Sequence, residues 1–339
     1  MAKQGLEVIV AGAGIIGGSI AWRLAQAGVV VTLVDAGVVG GEASWAGAGM
    51  LAPGGELITR SSWAEFALRS LAMYPAFVDE LVRESGVGID YRRCGAMEFA
   101  RSAADWEELK ERRGLQAALG IRSEAREDGA FYPADALVDP REIMRALRVV
   151  LVKRGVRILE QTRVLEVRPG AGQVEVETSG GVLQAAAAVV AAGAWSGQIR
   201  VEGCEIPATF PVRGHLLGYR MEPGSLGPIL RHGHTYVMQR SSGFTIAGTS
   251  SEQVGFEREI DPGIVAEIHA RACELLPELR AAARTEAWLG FRPATAGFEP
   301  AIGRVGDSPV WLAYGHYRNG IMLAPATAAR VAGEILAEA

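Results

Sequence analysis

The run Gly12-Ala13-Gly14-Ile15-Ile16-Gly17, with an acid further on at Asp35, is the first part of the chain whose residue types and spacing specify a chemistry. That chemistry is the holding of a pyrophosphate and a ribose. Gly12 permits a tight turn out of a strand. Gly14 lets the backbone approach a pyrophosphate with no Cβ in the way, and Gly17 lets the next helix pack closely on the strand. The pyrophosphate would rest on the free N–H groups at the positive end of that helix, where Ile15 and Ile16 lie. Asp35, followed by Ala36, stands where a carboxylate accepts bonds from two ribose hydroxyls. The competing reading is a glycine-rich turn with no ligand.

The elements needed to position these residues are all present and in register. An apolar run at 8–11 reads as a strand, 15–27 as a helix and 29–34 as a second strand ending at Asp35. A loop crowded with glycine and alanine follows, residues 37–55, and includes Ser44, Ala46, Gly47, Gly49 and Met50. Small residues over such a length suit a backbone running along a large planar ligand, which favours FAD over NAD(P). Trp45, Met50 and Leu51 within it argue against a plain surface loop.

Further on, 63–84 reads as a helix that Pro75 should kink or divide. Residues 96–100 read as a strand and 103–119 as a charged helix. Asp139-Pro140 reads as N-cap and first position of a helix to about residue 154. Short strands are expected at 156–159, 164–167, 174–178 and 182–184. A small-apolar strand at 185–192 ends in Gly193-Ala194-Trp195-Ser196, delivering Gly193 and Trp195 to a ligand crevice. Residues 207–249 are strand-rich, 262–276 helical, 285–291 and 310–313 strands, and 320–337 a last helix. The fold class is therefore α/β: a Rossmann-type FAD-binding domain (1–85, 136–205 and 291–339) interleaved with a mixed-sheet α+β substrate domain (86–135 and 206–290).

Composition narrows the function classes. The net charge of -5 and the lack of a basic block disfavour nucleic acid. Cys94, Cys204 and Cys273 are far apart, which indicates no disulfide framework and no metal site and fits a cytoplasmic protein. No uninterrupted apolar stretch of transmembrane length stands out, so membrane insertion is not expected.

The GAGIIG turn, the loop SWAGAGML, the strand end VVAAGAWSG, Pro211-Val212-Arg213-Gly214, Gly290-Phe291-Arg292-Pro293 and GHYRNGIMLAPATA together resemble the D-amino-acid oxidase family of FAD enzymes. Within it the likeness is to the glycine oxidases (ThiO) of the thiamine pathway. The resemblance implies non-covalent FAD and a small amino-acid or amine substrate (glycine, sarcosine, D-alanine or proline). It also implies hydride transfer to flavin and reoxidation by O2 to give H2O2. It implies that Arg318 grips the substrate carboxylate, a task that a planar guanidinium's paired donors suit. It places Tyr236 over the substrate and Arg292 near the flavin or the substrate entry; His234, two residues before Tyr236, should by that spacing share its strand face. Ser251 stands where the glycine-oxidase pattern has a methionine, a departure that bears on substrate range. Asn319, Gly320 and Ile321 would aim the last helix's positive end at the flavin, and Val164 would meet the adenine. Family members are often dimers or tetramers, so a homo-oligomer is an expectation. Three other readings stay open: a dehydrogenase passing electrons to a quinone or carrier protein, a flavoprotein acting on tRNA, which the acidic charge opposes, and a cofactor-free binding protein.

Overall fold

The computed structural model describes residues 5–58 and 61–338. A six-stranded sheet carries the glycine turn. Its order is Ala301–Arg304, Val310–Tyr314, Ala187–Val190, Glu7–Ala11, Val30–Val34 and Arg157–Leu159. All neighbours are parallel except the antiparallel Ala301–Arg304 edge. Alternation along the central strands sends Val8 and Val10 to one face and Ile9 and Ala11 to the other. On the first face, Val8, Val10, Val31 and Leu33 pack with helices Ile15–Gln26, Ser62–Ser85, Pro140–Lys153 and Gly320–Glu338. On the second, Ile9, Ala11 and Val190 meet Val164, Val167, Val174 and Val176 of a four-stranded sheet. Ala187–Val190 is buried throughout, as its small-apolar composition requires between two covered faces.

The second unit is an eight-stranded sheet. Its order is Ala283–Ala294, Phe210–Arg220, Phe244–Gly248, Thr235–Gln239, Ile229–His232, Ala96–Phe99, Gly129–Tyr132 and Glu124–Arg126. Helix Pro262–Leu275, capped by the Asp261 carboxylate, covers one face through Ile268, Ala272 and Cys273. The opposite face carries Leu216, Tyr236, Met238 and Trp288, and it packs against Ala46 and Ala48 of the glycine-rich loop. The interleaved α/β and mixed-sheet arrangement expected from the pattern is the one observed.

Several elements differ from their sequence reading. Pro75 does not divide its helix, which runs without interruption from Ser62 to Ser85. Tyr74, Phe77, Val78 and Leu81 are buried on its core face, and that burial outweighs one missing backbone hydrogen bond. The run 185–192 is not one strand. Gly181–Ala185 closes the four-stranded sheet, Ala187–Val190 enters the six-stranded one, and Gly193–Gln198 is a 3-10 turn. The strand expected at 285–291 spans Ala283–Ala294 and pairs along nearly its whole length with Phe210–Arg220. The glycine-rich loop contains the short helices Ala43–Ala46 and Pro53–Glu56.

The last helix is long and apolar enough, by length and composition, to cross a membrane. Here Met322, Leu323, Ala324, Ala328 and Val331 are buried in the core that the first helix shares. Core packing accounts for its hydrophobicity.

Candidate functional site

A cavity of about 520 Å³ begins at the ends of Glu7–Ala11 and Val30–Val34 and reaches the inner face of the eight-stranded sheet. Open α/β sheets bind ligands at this edge. Gly12, Gly14, Ile15, Ile16, Asp35 and Ala36 line one end. Ser44, Ala46, Gly47, Gly49 and Met50 line the middle, with Val164, Gly193 and Trp195 beside them. Arg292, Arg318, Asn319, Gly320, Ile321 and Tyr236 line the other end. Gly17 alone of the expected cofactor residues lies outside the wall. Its Cβ would fall 1.9 Å from the Gly12 carbonyl oxygen, so its lack of a side chain serves helix–strand packing.

The glycine end fits a dinucleotide. Gly12 has φ 106°, and a Cβ there would fall 2.3 Å from the Ala191 carbonyl oxygen, so both conformation and space demand glycine. Asp35 accepts hydrogen bonds from the N–H groups of Ala13 (2.7 Å) and Gly37 (2.7 Å), which ties the carboxylate between the turn and the loop. Burial raises its pKa, and those two N–H groups pull the other way. The Ile15 N–H, free for lack of a preceding helical turn, donates to Ser44 Oγ at 2.9 Å. The loop bearing Ser44 is held from the far side. Trp288 Nε1 donates to the Ala46 carbonyl at 2.9 Å, and Arg240 donates to the carbonyls of Ala48 and Val138.

At the other end, the elements around Arg292 are built to receive its guanidinium. Arg292 Nη2 donates to Thr249 Oγ1 at 2.7 Å, and Nη1 donates to the Ser250 carbonyl at 3.1 Å. A Cβ on Gly214, on the neighbouring strand, would fall 2.4 Å from Nη1, so glycine there makes the space. Among the described residues no carboxylate lies within 4.0 Å of Arg292, and burial lowers its pKa. Arg318 differs: its Nη2 lies 3.2 Å from Glu56 Oε1 and its side chain is partly exposed. Tyr236 is buried, and its ring end rests against Gly248, where a Cβ would fall 2.5 Å from the hydroxyl. Burial pushes the Tyr236 hydroxyl up to about 12, with the charges of Arg292 and Arg318 opposing, so it keeps its proton at any ordinary pH.

His234 is not on the strand face of Tyr236. The strand begins at Thr235, which pairs with His232, so Gly233 and His234 form the two-residue hairpin turn. Exposed there, His234 joins Ser251 in a second, outer cleft of about 410 Å³ that meets the first at Arg292, Arg318 and Thr249. Ser251 is exposed and does not line the inner cavity, so it does not set that cavity's size. Its neighbour Ser250 points into the protein, donating to Glu252 Oε1 at 2.6 Å and accepting from the His215 N–H at 2.8 Å. Sequence reading missed Glu56, Thr249 and Gly214. Glu56 directly follows the glycine-rich loop of residues 37–55, Thr249 acts through its side-chain hydroxyl, and Gly214 acts by leaving space.

His316 lies beneath the site, 2% exposed, with Nε2 3.1 Å from Thr327 Oγ1. Burial lowers its pKa to about 3, so the folded protein keeps it neutral. From pH 6.5 down toward 3 the unfolded chain binds a proton that the folded one refuses, and stability falls with pH across that window. Between pH 7 and 4.5 this one group should cost about 2–3 kcal/mol. His316→Gln should flatten that part of the acid limb in thermal unfolding; an unchanged limb would show that His316 does not contribute.

Residues 7–334 match the model of the family described as FAD dependent oxidoreductase. The chain is 32% identical to a glycine oxidase of Bacillus licheniformis, covering 98% of this chain and 94% of that one. It is 34% identical to the bifunctional protein ThiO/ThiG of Synechocystis, covering 97% of this chain and 51% of that longer protein. Among solved structures, the glycine oxidase of Geobacillus kaustophilus superposes with a TM-score of 0.92 at 28% identity, covering 97% of this chain and 94% of that one. The chain belongs to the D-amino-acid oxidase family of FAD-dependent oxidoreductases, and FAD is its cofactor.

Proposed function

We propose that this enzyme oxidises glycine or a similarly small amino acid or amine, with sarcosine, D-alanine and proline the other candidates, and that O2 takes the electrons to give H2O2. One observation carries the reading: Arg292 is a half-buried cation with no carboxylate partner among the described residues, seated by Thr249, the Ser250 carbonyl and the gap at Gly214, in the same cavity as the dinucleotide turn. A cation desolvated without a counter-ion is unfavourable unless a ligand completes it. The α-carboxylate of an amino acid does so through two parallel hydrogen bonds. We therefore assign the main carboxylate contact to Arg292, with the protonated Tyr236 hydroxyl as a further donor. Arg318, already paired with Glu56, takes a secondary place.

FAD, when bound, supplies the two-electron acceptor. The chain's own work is to bind and orient the substrate and to exclude water from it. Asn319, Gly320 and Ile321 bring the positive end of Gly320–Glu338 to the cavity, where it favours negative charge. None of the three cysteines lines the cavity, in keeping with a flavin held without a covalent tether, and their free state suits a cytoplasmic enzyme. The likeness to the Synechocystis bifunctional protein ThiO/ThiG supports thiamine biosynthesis as the pathway.

The test is oxygen uptake and peroxide release by the purified enzyme with glycine, sarcosine, D-alanine and proline in turn. Uptake with at least one, matched by peroxide, is expected. Reduction of a quinone or dye with no oxygen uptake would instead assign a dehydrogenase.

A further inference from the structure

The Glu56 turn is anchored more firmly than a surface ion pair requires. Gln116, fully buried, donates from Nε2 to the carbonyls of Gly54 and Leu57, both at 2.8 Å, which bracket Glu56. Tyr132 holds the other end of that amide, donating to Gln116 Oε1 at 2.9 Å. Below lies a buried ionic cluster in which Arg231 binds Asp135 at 2.6 Å and Glu98 at 2.9 Å. A Cβ on Gly55 would fall 2.9 Å from Arg231 Nη1, so the turn sits directly on the cluster. Gln116, on helix Ala103–Ala117 and backed by Tyr132 of the eight-stranded sheet, thus fixes the backbone on both sides of one carboxylate.

That carboxylate faces the cavity, and its charge reaches both Tyr236 and Arg292. One oxygen meets Arg318, and among the described residues Glu56 makes no other hydrogen bond or ion pair. Two arginines alone would suit a dicarboxylate. With Glu56 present, one cation is balanced and a carboxylate oxygen stays available, so the wall offers a positive and a negative contact. An amino-acid zwitterion presents the complement. In a cavity of low dielectric, each mismatched charge is penalised far more than in water.

We propose that Glu56 anchors the substrate's ammonium group while Arg292 holds its carboxylate, so that the cavity selects amino acids over simple carboxylates. The proposal rests on the amino-acid reading above. Glu56 acts on the bound ground state, so its loss raises KM more than it lowers kcat.

The test uses the FAD-loaded enzyme, comparing wild type with Glu56→Gln and Glu56→Asp. Glycine is followed by kinetics, and acetate, which has the carboxylate without the amine, by its perturbation of the flavin spectrum. In Glu56→Gln the KM for glycine should rise about tenfold or more with kcat within about threefold, while the Kd for acetate stays level or falls. Glu56→Asp, which keeps the charge at shorter reach, should lie between. Equal weakening of glycine and acetate would overturn the proposal, since Glu56 would then merely shape the site; so would an unchanged glycine KM. Failure of the wild type to be reduced by glycine would count against the function proposed above. Glycine binding, read spectrally against acetate in the same three proteins, would still decide the role of Glu56.

Discussion

Replacing Arg292 by alanine is expected to lower kcat/KM for glycine by about 10²- to 10⁴-fold, the equivalent of about 3–5 kcal/mol for a charge pair broken in a desolvated site. FAD should stay bound, because the groups suited to its pyrophosphate and ribose lie at the opposite end of the cavity. Arg318→Ala should cost much less. Its side chain is partly exposed and its charge is already answered by Glu56 at 3.2 Å, whereas Arg292 donates to neutral oxygens and meets no carboxylate among the described residues. Steady-state kinetics of the two variants side by side decide between the arginines. A larger loss in Arg318→Ala would return the carboxylate to Arg318, the position that the resemblance favours.

Gly14→Val is expected to yield a folded, colourless protein. Gly14 has φ -72° and ψ -175°, a conformation valine adopts readily, and a Cβ there would touch only Ser44 Oγ at 3.0 Å. The added methyls would occupy the space where the pyrophosphate meets the helix N-terminus, and FAD affinity should fall by about a hundredfold or more, about 3 kcal/mol. The thermal midpoint should stay within a few degrees of the wild-type apoprotein. Gly17→Ala makes the contrast, since its Cβ would fall 1.9 Å from a backbone oxygen and the strand–helix unit itself should fail. A Gly14→Val protein that purifies yellow would remove the assignment of the turn to FAD.

The dinucleotide end was legible in the sequence because its requirements are local. A turn needing φ 106° at residue 12 and close packing at residue 17 leaves glycine as the only choice, and such constraints appear in the order of residues. The Arg292 end of the cavity depends on contacts between distant segments. Arg292 is seated by Thr249 and by the gap at Gly214, and Glu56 meets Arg318 across most of the chain; no periodicity records such meetings. His234 shows the same limit at short range. Its spacing from Tyr236 predicted a shared strand face, but the hairpin turn came one residue too late for that. Pro75 does not divide its helix, because propensity yields to the burial of its neighbours Tyr74 and Phe77.

The visible spectrum of the purified enzyme, taken before and after anaerobic addition of glycine and again after admitting air, tests the central claim most directly. The account predicts a flavin band that glycine bleaches and air restores, with peroxide formed. A flavin band that neither glycine nor sarcosine, D-alanine or proline bleaches would contradict it, because Arg292 would then be holding something other than the carboxylate of a small amino acid.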